Sequence, residues 1–203
     1  MQSEKLTLKI LNEHYIRVKP EVQSRLREFS RPKNKTEIFR ELCFCILTAG
    51  ASAELGIKTM ACLPDDVVTS GNQEKIHQCL KGVYRFHNLR ANYIALAKDS
   101  FDKINLDSPN IREELVKNIK GLGYKESSHF LRNIGKKGYA ILDKHVIKLL
   151  NDLEVISNSN PPKNPKQYLE IEEKMKSFAK KIGIDFDELD LVLWSYKTGK
   201  VLK

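Results

Sequence analysis

Long apolar runs are absent from the 203-residue sequence. No stretch approaches the roughly 20 consecutive apolar residues that a membrane-spanning helix requires, and the N-terminus lacks the apolar region of a signal peptide. We therefore expect a soluble, intracellular protein that has no membrane partner.

Cysteine and tryptophan are scarce, with four residues and one residue, respectively. The four cysteines show no paired ligand spacing, and they fall within apolar helical patterns. This arrangement favours reduced thiols in a helical core over metal ligands or disulfides. The sequence therefore predicts neither a metal site nor a cofactor. The cysteines are Cys43, Cys45, Cys62 and Cys79.

Alternating, strand-like runs are also scarce, whereas apolar residues recur at helical spacing almost throughout the chain. The sequence therefore predicts an all-α protein. A chain of 203 residues can bury a real core, and we expect one compact unit. The candidate helices cover 6–14, 20–28, 36–48, 51–62, 73–81, 88–101, 111–119, 125–134, 143–153, 165–182 and 185–197.

Several of these ranges begin with residues that suit a helix N-cap. Thr36, Asp143 and Asp185 each offer a side-chain oxygen to the first free N–H groups of a helix. The stretch 38–47 is apolar nearly all round, which is typical of a buried central helix. The polar, proline-rich stretch 157–165 indicates an exposed linker before C-terminal helices in 165–203.

Acidic residues are outnumbered by basic ones. The chain has 26 Asp and Glu against 35 Lys and Arg, which gives a net charge of +9 and a pI near 9.3. This excess indicates an anionic partner, and nucleic acid is the first candidate. A basic surface that only aids solubility has the same composition, so charge alone does not decide between the two.

A glycine turn lies between two helical patterns in the stretch 111–134. Gly121 and Gly123 relieve the steric cost of a tight reversal, where we expect backbone with positive φ. Turn N–H groups without side chains can approach a DNA phosphate, and the next helix contributes its positive end. An ordinary turn between two helices has the same local pattern. Lys125 after the turn and Asp143 at the next helix start favour the helix-hairpin-helix interpretation.

The stretch from Ile119 to Leu150 resembles the helix-hairpin-helix DNA glycosylase superfamily, in which the hairpin precedes a Gly/Pro-rich loop and an essential Asp. The segments 41–48, 84–86 and 191–203 look like the archaeal-type 8-oxoguanine DNA glycosylase/AP lyase family. The resemblance covers nearly the whole chain. It implies an all-α helix-hairpin-helix glycosylase fold, with two helical lobes that flank a DNA-binding cleft. The implied unit spans 1–203, with the hairpin at about 111–134 and the catalytic Asp segment at 135–153.

The resemblance implies that Lys125 and Asp143 are catalytic. Lys125 would attack C1′ as a neutral amine and form a Schiff base, after which β-elimination nicks the strand. Lysine suits this role because burial or a cationic neighbour can release its proton, whereas arginine stays protonated. Asp143 would stabilise the positive charge that grows on the sugar, and a helix N-terminus favours its ionised form. A surface lysine and a plain N-cap are the alternatives.

Further contacts with DNA follow from the same resemblance. The lesion pocket would receive a flipped base between flat or apolar surfaces, close to a C-terminus that folds back. Core packing and a frayed tail are the alternatives for Trp194 and Lys203. The backbone-binding residues would be Gly121, Gly123, Tyr124 and His145; the pocket residues Phe44, His129, Trp194 and Lys203; and the strand or opposite-base contacts Arg85 and Phe86.

The implied function is a bifunctional repair glycosylase that excises 8-oxoguanine and nicks the strand. Its partner would be double-stranded DNA containing oxidised guanine, and it would act as a monomer in the cytoplasm or nucleoid of a prokaryote or archaeon. The alternatives are a glycosylase of another lesion specificity and a non-catalytic DNA-binding module. Some superfamily members hold an iron–sulfur cluster with four C-terminal cysteines, but the last cysteine here is Cys79, so no cluster is expected.

Overall fold

The computed structural model describes residues 5–203, which contain eleven α-helices and no β-strand. The prediction of an all-helical chain is confirmed. Within the same residues, every helix is too short or too polar to span a bilayer. The helices are α1 Leu8–Ser30, α2 Lys35–Thr48, α3 Ala53–Ala61, α4 Asp65–Ser70, α5 Gln73–Leu80, α6 His87–Phe101, α7 Ile111–Asn118, α8 Tyr124–Asn133, α9 Lys144–Asp152, α10 Pro165–Ile182 and α11 Phe186–Thr198.

Two features differ from the predicted helix ranges. The ranges 6–14 and 20–28 form one helix, α1, which includes Pro20. Proline removes one backbone hydrogen bond, but the buried face of α1 continues on both sides of it, with Leu11 before and Val22 after. The short helix α4 was not predicted, because Val68 is its single buried residue and leaves no apolar period to detect. The other ranges agree with helices to within two residues at each end.

The N-cap of α2 is Asn34 rather than Thr36. The Asn34 side chain accepts a hydrogen bond from the Glu37 N–H, and the Glu37 carboxylate accepts one from the Asn34 N–H, both at 2.9 Å. This reciprocal capping box satisfies two free N–H groups, whereas a Thr36 cap would begin the helix two residues later. The predicted caps Asp143 and Asp185 are confirmed.

The chain divides into two compact units. One, the hairpin unit, is Pro32–Ile134. The other, the terminal unit, combines the N-terminal segment through Arg31 with Gly135–Lys203. In the hairpin unit, helices α3, α4, α6 and α8 pack on α2, and residues 42–47 of α2 have no exposed surface. The prediction of a buried central helix is therefore confirmed.

All four cysteines are free thiols, but only two of them lie in the core. Cys43 and Cys45 are buried in α2, as predicted. Cys62 is exposed and Cys79 is partly exposed, which corrects the prediction for these two. Cys62 is the C-cap of α3, and its thiol donates to the Lys58 carbonyl at 3.5 Å on the exposed side of the helix end.

Helix α11 is the central element of the terminal unit, where α1, α9 and α10 pack against it. His14 of α1 is buried at this interface. Its Nδ1 lies 2.8 Å from Arg17 Nη2 and accepts a hydrogen bond from it, so the neutral ring donates from Nε2 to Ser195 Oγ at 2.9 Å. Burial first, and the Arg17 charge second, lower the pKa of His14 below its ordinary value of 6.5.

This lowered pKa predicts a loss of stability in mild acid. Below pH 6.5 the unfolded chain binds a proton at His14 more readily than the folded chain, so the free energy of unfolding falls as the pH decreases. A His14→Gln variant keeps a donor for Ser195 and does not titrate. Its free energy of unfolding, measured by urea denaturation at a series of pH values, should fall less than that of the wild type. Parallel curves would contradict the assignment.

Candidate functional site

The turn between α7 and α8 depends on Gly121. This residue has φ +93°, in the left-handed region that side chains disfavour. A Cβ at Gly121 would also lie 2.5 Å from the Tyr93 ring. After the turn Leu122 is buried, and its N–H donates to the Ile119 carbonyl at 3.3 Å. The predicted hairpin is therefore present, and Tyr93 of α6 packs against its bend.

Gly123 has a different role from the predicted one. Its φ of −100° and ψ of −170° are extended, so the expectation of positive φ is right for Gly121 and wrong here. Gly123 is the N-cap of α8, and its N–H donates to Glu126 Oε2 at 3.2 Å. This is the carboxylate half of a capping box, in which the third residue of the helix binds the N–H of the cap.

Lys125 lies in the first turn of α8, immediately before Glu126. Its Nζ is 3.0 Å from Glu126 Oε1, and its side chain is 31% exposed. Glu126 thus contacts both the cap of the helix and the candidate nucleophile. Glu126 was not among the predicted site residues, because Gly123 was predicted as a turn residue and not as an N-cap, and a capping box needs a Glu three residues after the cap.

Tyr124 is held against α7 by two contacts. Its hydroxyl donates to Glu113 Oε1 at 3.1 Å, and the Arg112 guanidinium lies 5.2 Å from its ring centroid. Burial first, and then the hydrogen bond to Glu113, raise the pKa of Tyr124, so the hydroxyl stays a donor. The ring therefore has a fixed position beside the hairpin.

Phe44 and His129 come together in the hairpin unit. Their ring centroids are 5.5 Å apart and the rings are nearly perpendicular, at 77°. Phe44 is fully buried in α2, whereas His129 is partly exposed, one turn after Lys125. Phe44 therefore supports the His129 ring from the core, and the accessible surface of this pair belongs to His129.

Arg85 and Phe86 form an exposed pair before α6. The Arg85 guanidinium lies 5.2 Å from the Phe86 ring centroid, and Phe86 is 48% exposed. Tyr84, directly before them, is buried, and its hydroxyl donates to the Leu47 carbonyl at 2.5 Å. An anchored segment therefore presents an aromatic ring and a cation to solvent, a combination suited to stacking on bases.

Asp143 is the N-cap of α9 in the terminal unit. One carboxylate oxygen, Oδ1, accepts hydrogen bonds from the N–H groups of His145 and Val146, each at 2.8 Å. Among the described residues the other oxygen, Oδ2, takes no hydrogen bond. The cap thus fixes the carboxylate and leaves one oxygen available. The His145 N–H is already used by this cap, and its side chain is partly exposed.

The segment 138–142 leads to Asp143 and is held by side chains of α10 and α11. Glu172 and Asp190 are buried, with 3% and 1% of their surfaces exposed, and backbone N–H groups compensate for the burial of these carboxylates. Sequence reasoning missed this set, whose signal is an acidic residue on the apolar face of a helix. The acceptors are Asp187 for Gly138, Glu172 for Ala140 and Asp190 for Ile141, each at 2.9 Å, and the Tyr168 hydroxyl for Leu142 at 3.2 Å.

The C-terminal segment after α11 folds back on the terminal unit. Val201 is 2% exposed, and its carbonyl accepts a hydrogen bond from Arg25 Nη2 of α1 at 3.3 Å. The Thr198 hydroxyl contacts the carbonyls of Trp194 and Lys200, which closes the end of α11. Trp194 and Lys203 are partly exposed. The tail that carries Lys203 is therefore anchored at Val201.

Metal ligands were not expected, and the described residues contain no group of three or more His, Cys, Asp or Glu side chains that could hold a metal ion.

Three comparisons with known proteins point to the same family. The family model described as 8-oxoguanine DNA glycosylase matches residues 22–184. A protein of Picrophilus torridus, named 8-oxoguanine DNA glycosylase/AP lyase, is 42% identical over 189 residues, which cover 90% of each chain. The crystal structure of the 8-oxoguanine DNA glycosylase of Thermotoga maritima has a TM-score of 0.89 and 37% identity, and the match covers 97% of this chain and 98% of that chain.

A further crystal structure, of the Methanocaldococcus jannaschii 8-oxoguanine glycosylase/lyase, contains a 15mer DNA with 8-oxoguanine. Its TM-score is 0.86 and its identity to this chain is 39%, with 96% of this chain and 98% of that chain covered.

The two hairpin glycines should respond differently to alanine. Gly121→Ala forces a side chain into the left-handed region and against Tyr93, and we expect a loss of at least about 2 kcal/mol in the free energy of unfolding. At Gly123 a Cβ would meet only the far end of the Glu126 side chain, at 3.2 Å. Gly123→Ala should therefore cost much less. Equal losses in urea denaturation would contradict the assigned conformations.

Proposed function

Because the chain belongs to the 8-oxoguanine DNA glycosylase family, we propose that it is a bifunctional repair enzyme that excises 8-oxoguanine and then nicks the strand. Its substrate is double-stranded DNA inside the cell. The observation that carries the proposal is the placement of Lys125 directly after a glycine hairpin, where a helix N-terminus attracts the DNA backbone.

The hairpin and the excess of basic residues bind the DNA backbone. N–H groups at Gly121, Gly123 and Tyr124 approach a phosphate closely because the two glycines carry no side chain. His145 adds a contact at the start of α9. The net charge of +9 adds attraction that does not depend on sequence, which suits an enzyme that must search all DNA.

Lys125 is the nucleophile. Its amine forms a bond to C1′ of the sugar as the C1′–base bond breaks, and the base leaves with the electron pair and takes up a proton. The sugar ring then opens to a Schiff base between Lys125 and C1′. Loss of a C2′ proton expels the 3′ phosphate by β-elimination, and water releases the enzyme.

Asp143 stabilises the sugar as positive charge develops at C1′. Its Oδ1 is held by two N–H groups of α9, which leaves Oδ2 for the sugar. The segment 138–142, which leads to Asp143, is held by hydrogen bonds to Glu172 and Asp190. Asp143 therefore needs little reorganisation to reach the transition state. A carboxylate serves here because its negative charge offsets the positive charge that develops at C1′.

Recognition of the lesion depends on one changed group. Oxidation turns N7 of guanine from a hydrogen-bond acceptor into a donor, so an acceptor in the pocket discriminates by about 1–3 kcal/mol. In the terminal unit, Trp194 and Lys203 are the proposed contacts with the flipped base; in the hairpin unit, the proposed contact is His129, whose ring packs on Phe44. Arg85 and Phe86 fill the space of the flipped nucleotide or stack on its partner base.

Borohydride trapping tests the nucleophile. The wild type should form a covalent adduct with duplex DNA containing 8-oxoguanine, because borohydride reduces the Schiff base. A Lys125→Gln variant should bind the same duplex within about threefold of the wild type, since one surface charge contributes little, and should form no adduct.

Two outcomes would contradict this assignment. Trapping by Lys125→Gln would show that another amine attacks the sugar. A wild type that binds the duplex without being trapped would indicate a non-catalytic DNA-binding module, and trapping only with other damaged bases would indicate another lesion specificity.

The anchored tail allows a separate test of lesion recognition. Lys203→Ala should lower the rate of 8-oxoguanine excision by about tenfold or more, equivalent to one lost charged hydrogen bond, and should leave cleavage at a preformed abasic site unchanged. Lys200→Ala, which changes an exposed lysine of the same tail, is the matched control. If Lys203→Ala slows both reactions equally, or neither, Lys203 does not recognise the base.

A further inference from the structure

Glu126 contacts two groups that the proposed reaction uses. Its Oε2 accepts a hydrogen bond from the Gly123 N–H at 3.2 Å, and its Oε1 lies 3.0 Å from Lys125 Nζ. The side chain of Glu126 is 16% exposed and that of Lys125 is 31% exposed, so the ion pair is partly shielded from water. One carboxylate therefore links the cap of α8 to the candidate nucleophile.

A DNA phosphate needs the same N–H that Glu126 occupies. The Gly123 N–H is a single donor at the positive end of α8, and both anions are attracted to that end. A phosphate that binds to the hairpin amides therefore competes with the Glu126 carboxylate for this position, and the two negative charges also repel each other.

The contact with Lys125 has a chemical consequence. A carboxylate at 3.0 Å binds the lysine as an ammonium group, whose nitrogen has no free electron pair for attack on C1′. As long as the ion pair lasts, the amine is held beside α8 in a form that does not react.

We propose that Glu126 restrains Lys125 in the DNA-free enzyme and that a DNA phosphate releases it. The phosphate takes the Gly123 N–H, the carboxylate leaves the end of α8, and the Lys125 ammonium loses its proton to water and reaches the sugar. Glu126 is a positioning residue, because it acts through Lys125. The inference rests on the proposed function, since it requires Lys125 as the nucleophile.

The test variant is Glu126→Gln, which removes the negative charge and keeps an amide oxygen that can accept from Gly123. Glu113→Gln is the matched control. It removes one charge from the same hairpin, where Glu113 contacts the Tyr124 hydroxyl rather than Gly123 or Lys125. Thermal unfolding of both variants verifies that they are folded.

Borohydride trapping on a duplex with a preformed abasic site, over a range of enzyme concentrations, separates binding from chemistry. Glu126→Gln should reach half-maximal trapping at an enzyme concentration about three- to tenfold lower than the wild type, because a neutral amide oxygen holds the Gly123 N–H less strongly than a carboxylate and does not repel the phosphate. Its maximal rate should stay within about twofold, because bound DNA has already displaced the carboxylate in the wild type. Any change in the half-maximal concentration of Glu113→Gln measures the effect of removing one negative charge from the hairpin.

Three results would overturn the inference. An unchanged or higher half-maximal concentration in Glu126→Gln would show that no competition exists, and so would an equal decrease in Glu113→Gln. A maximal rate reduced by about tenfold or more would mean that Glu126 takes part in the chemistry after DNA has bound. A wild type that is never trapped would overturn the proposed function as well, so the two failures are distinguishable.

Discussion

Carboxylates that accept hydrogen bonds from backbone N–H groups determine the local geometry of both units. In the hairpin unit Glu126 binds the Gly123 N–H beside Lys125. In the terminal unit Asp143 binds two N–H groups of α9, and the segment before it is held by buried carboxylates of α10 and α11. Glu126 and Asp143 bind N–H groups at helix starts, whereas Glu172 and Asp190 are buried carboxylates whose hydrogen bonds fix a segment that is not helical.

The backbone N–H groups that these carboxylates bind differ in their exposure to solvent. Around Ala140 and Ile141 the N–H groups are buried with their acceptors, so no ligand can compete for them. Gly123 is exposed, and its N–H lies at the end of a helix that attracts anions. The same type of hydrogen bond is therefore buried in one unit and lies at an exposed helix end in the other.

Local features of this site were predictable from the sequence. The family assignment and the all-helical fold are confirmed. The hairpin and the Asp143 cap are confirmed as well, because each depends on residues that are close together in the chain. Two of the errors are also local: Asn34 competes better than Thr36 for the start of α2, and Gly123 is a cap rather than a left-handed turn residue. The catalytic and pocket roles stay predictions.

Most of the helices, the glycine bend and the lysine that follows it could be predicted from the amino-acid sequence, since helical periodicity and capping act over a few residues. The distant side chains that support them could be identified only in the folded protein. Asp190 binds Ile141 across 49 positions and Arg25 binds Val201 across 176. No local pattern encodes such pairs, because their partners meet only after the helices have packed and buried a polar group that must then be satisfied.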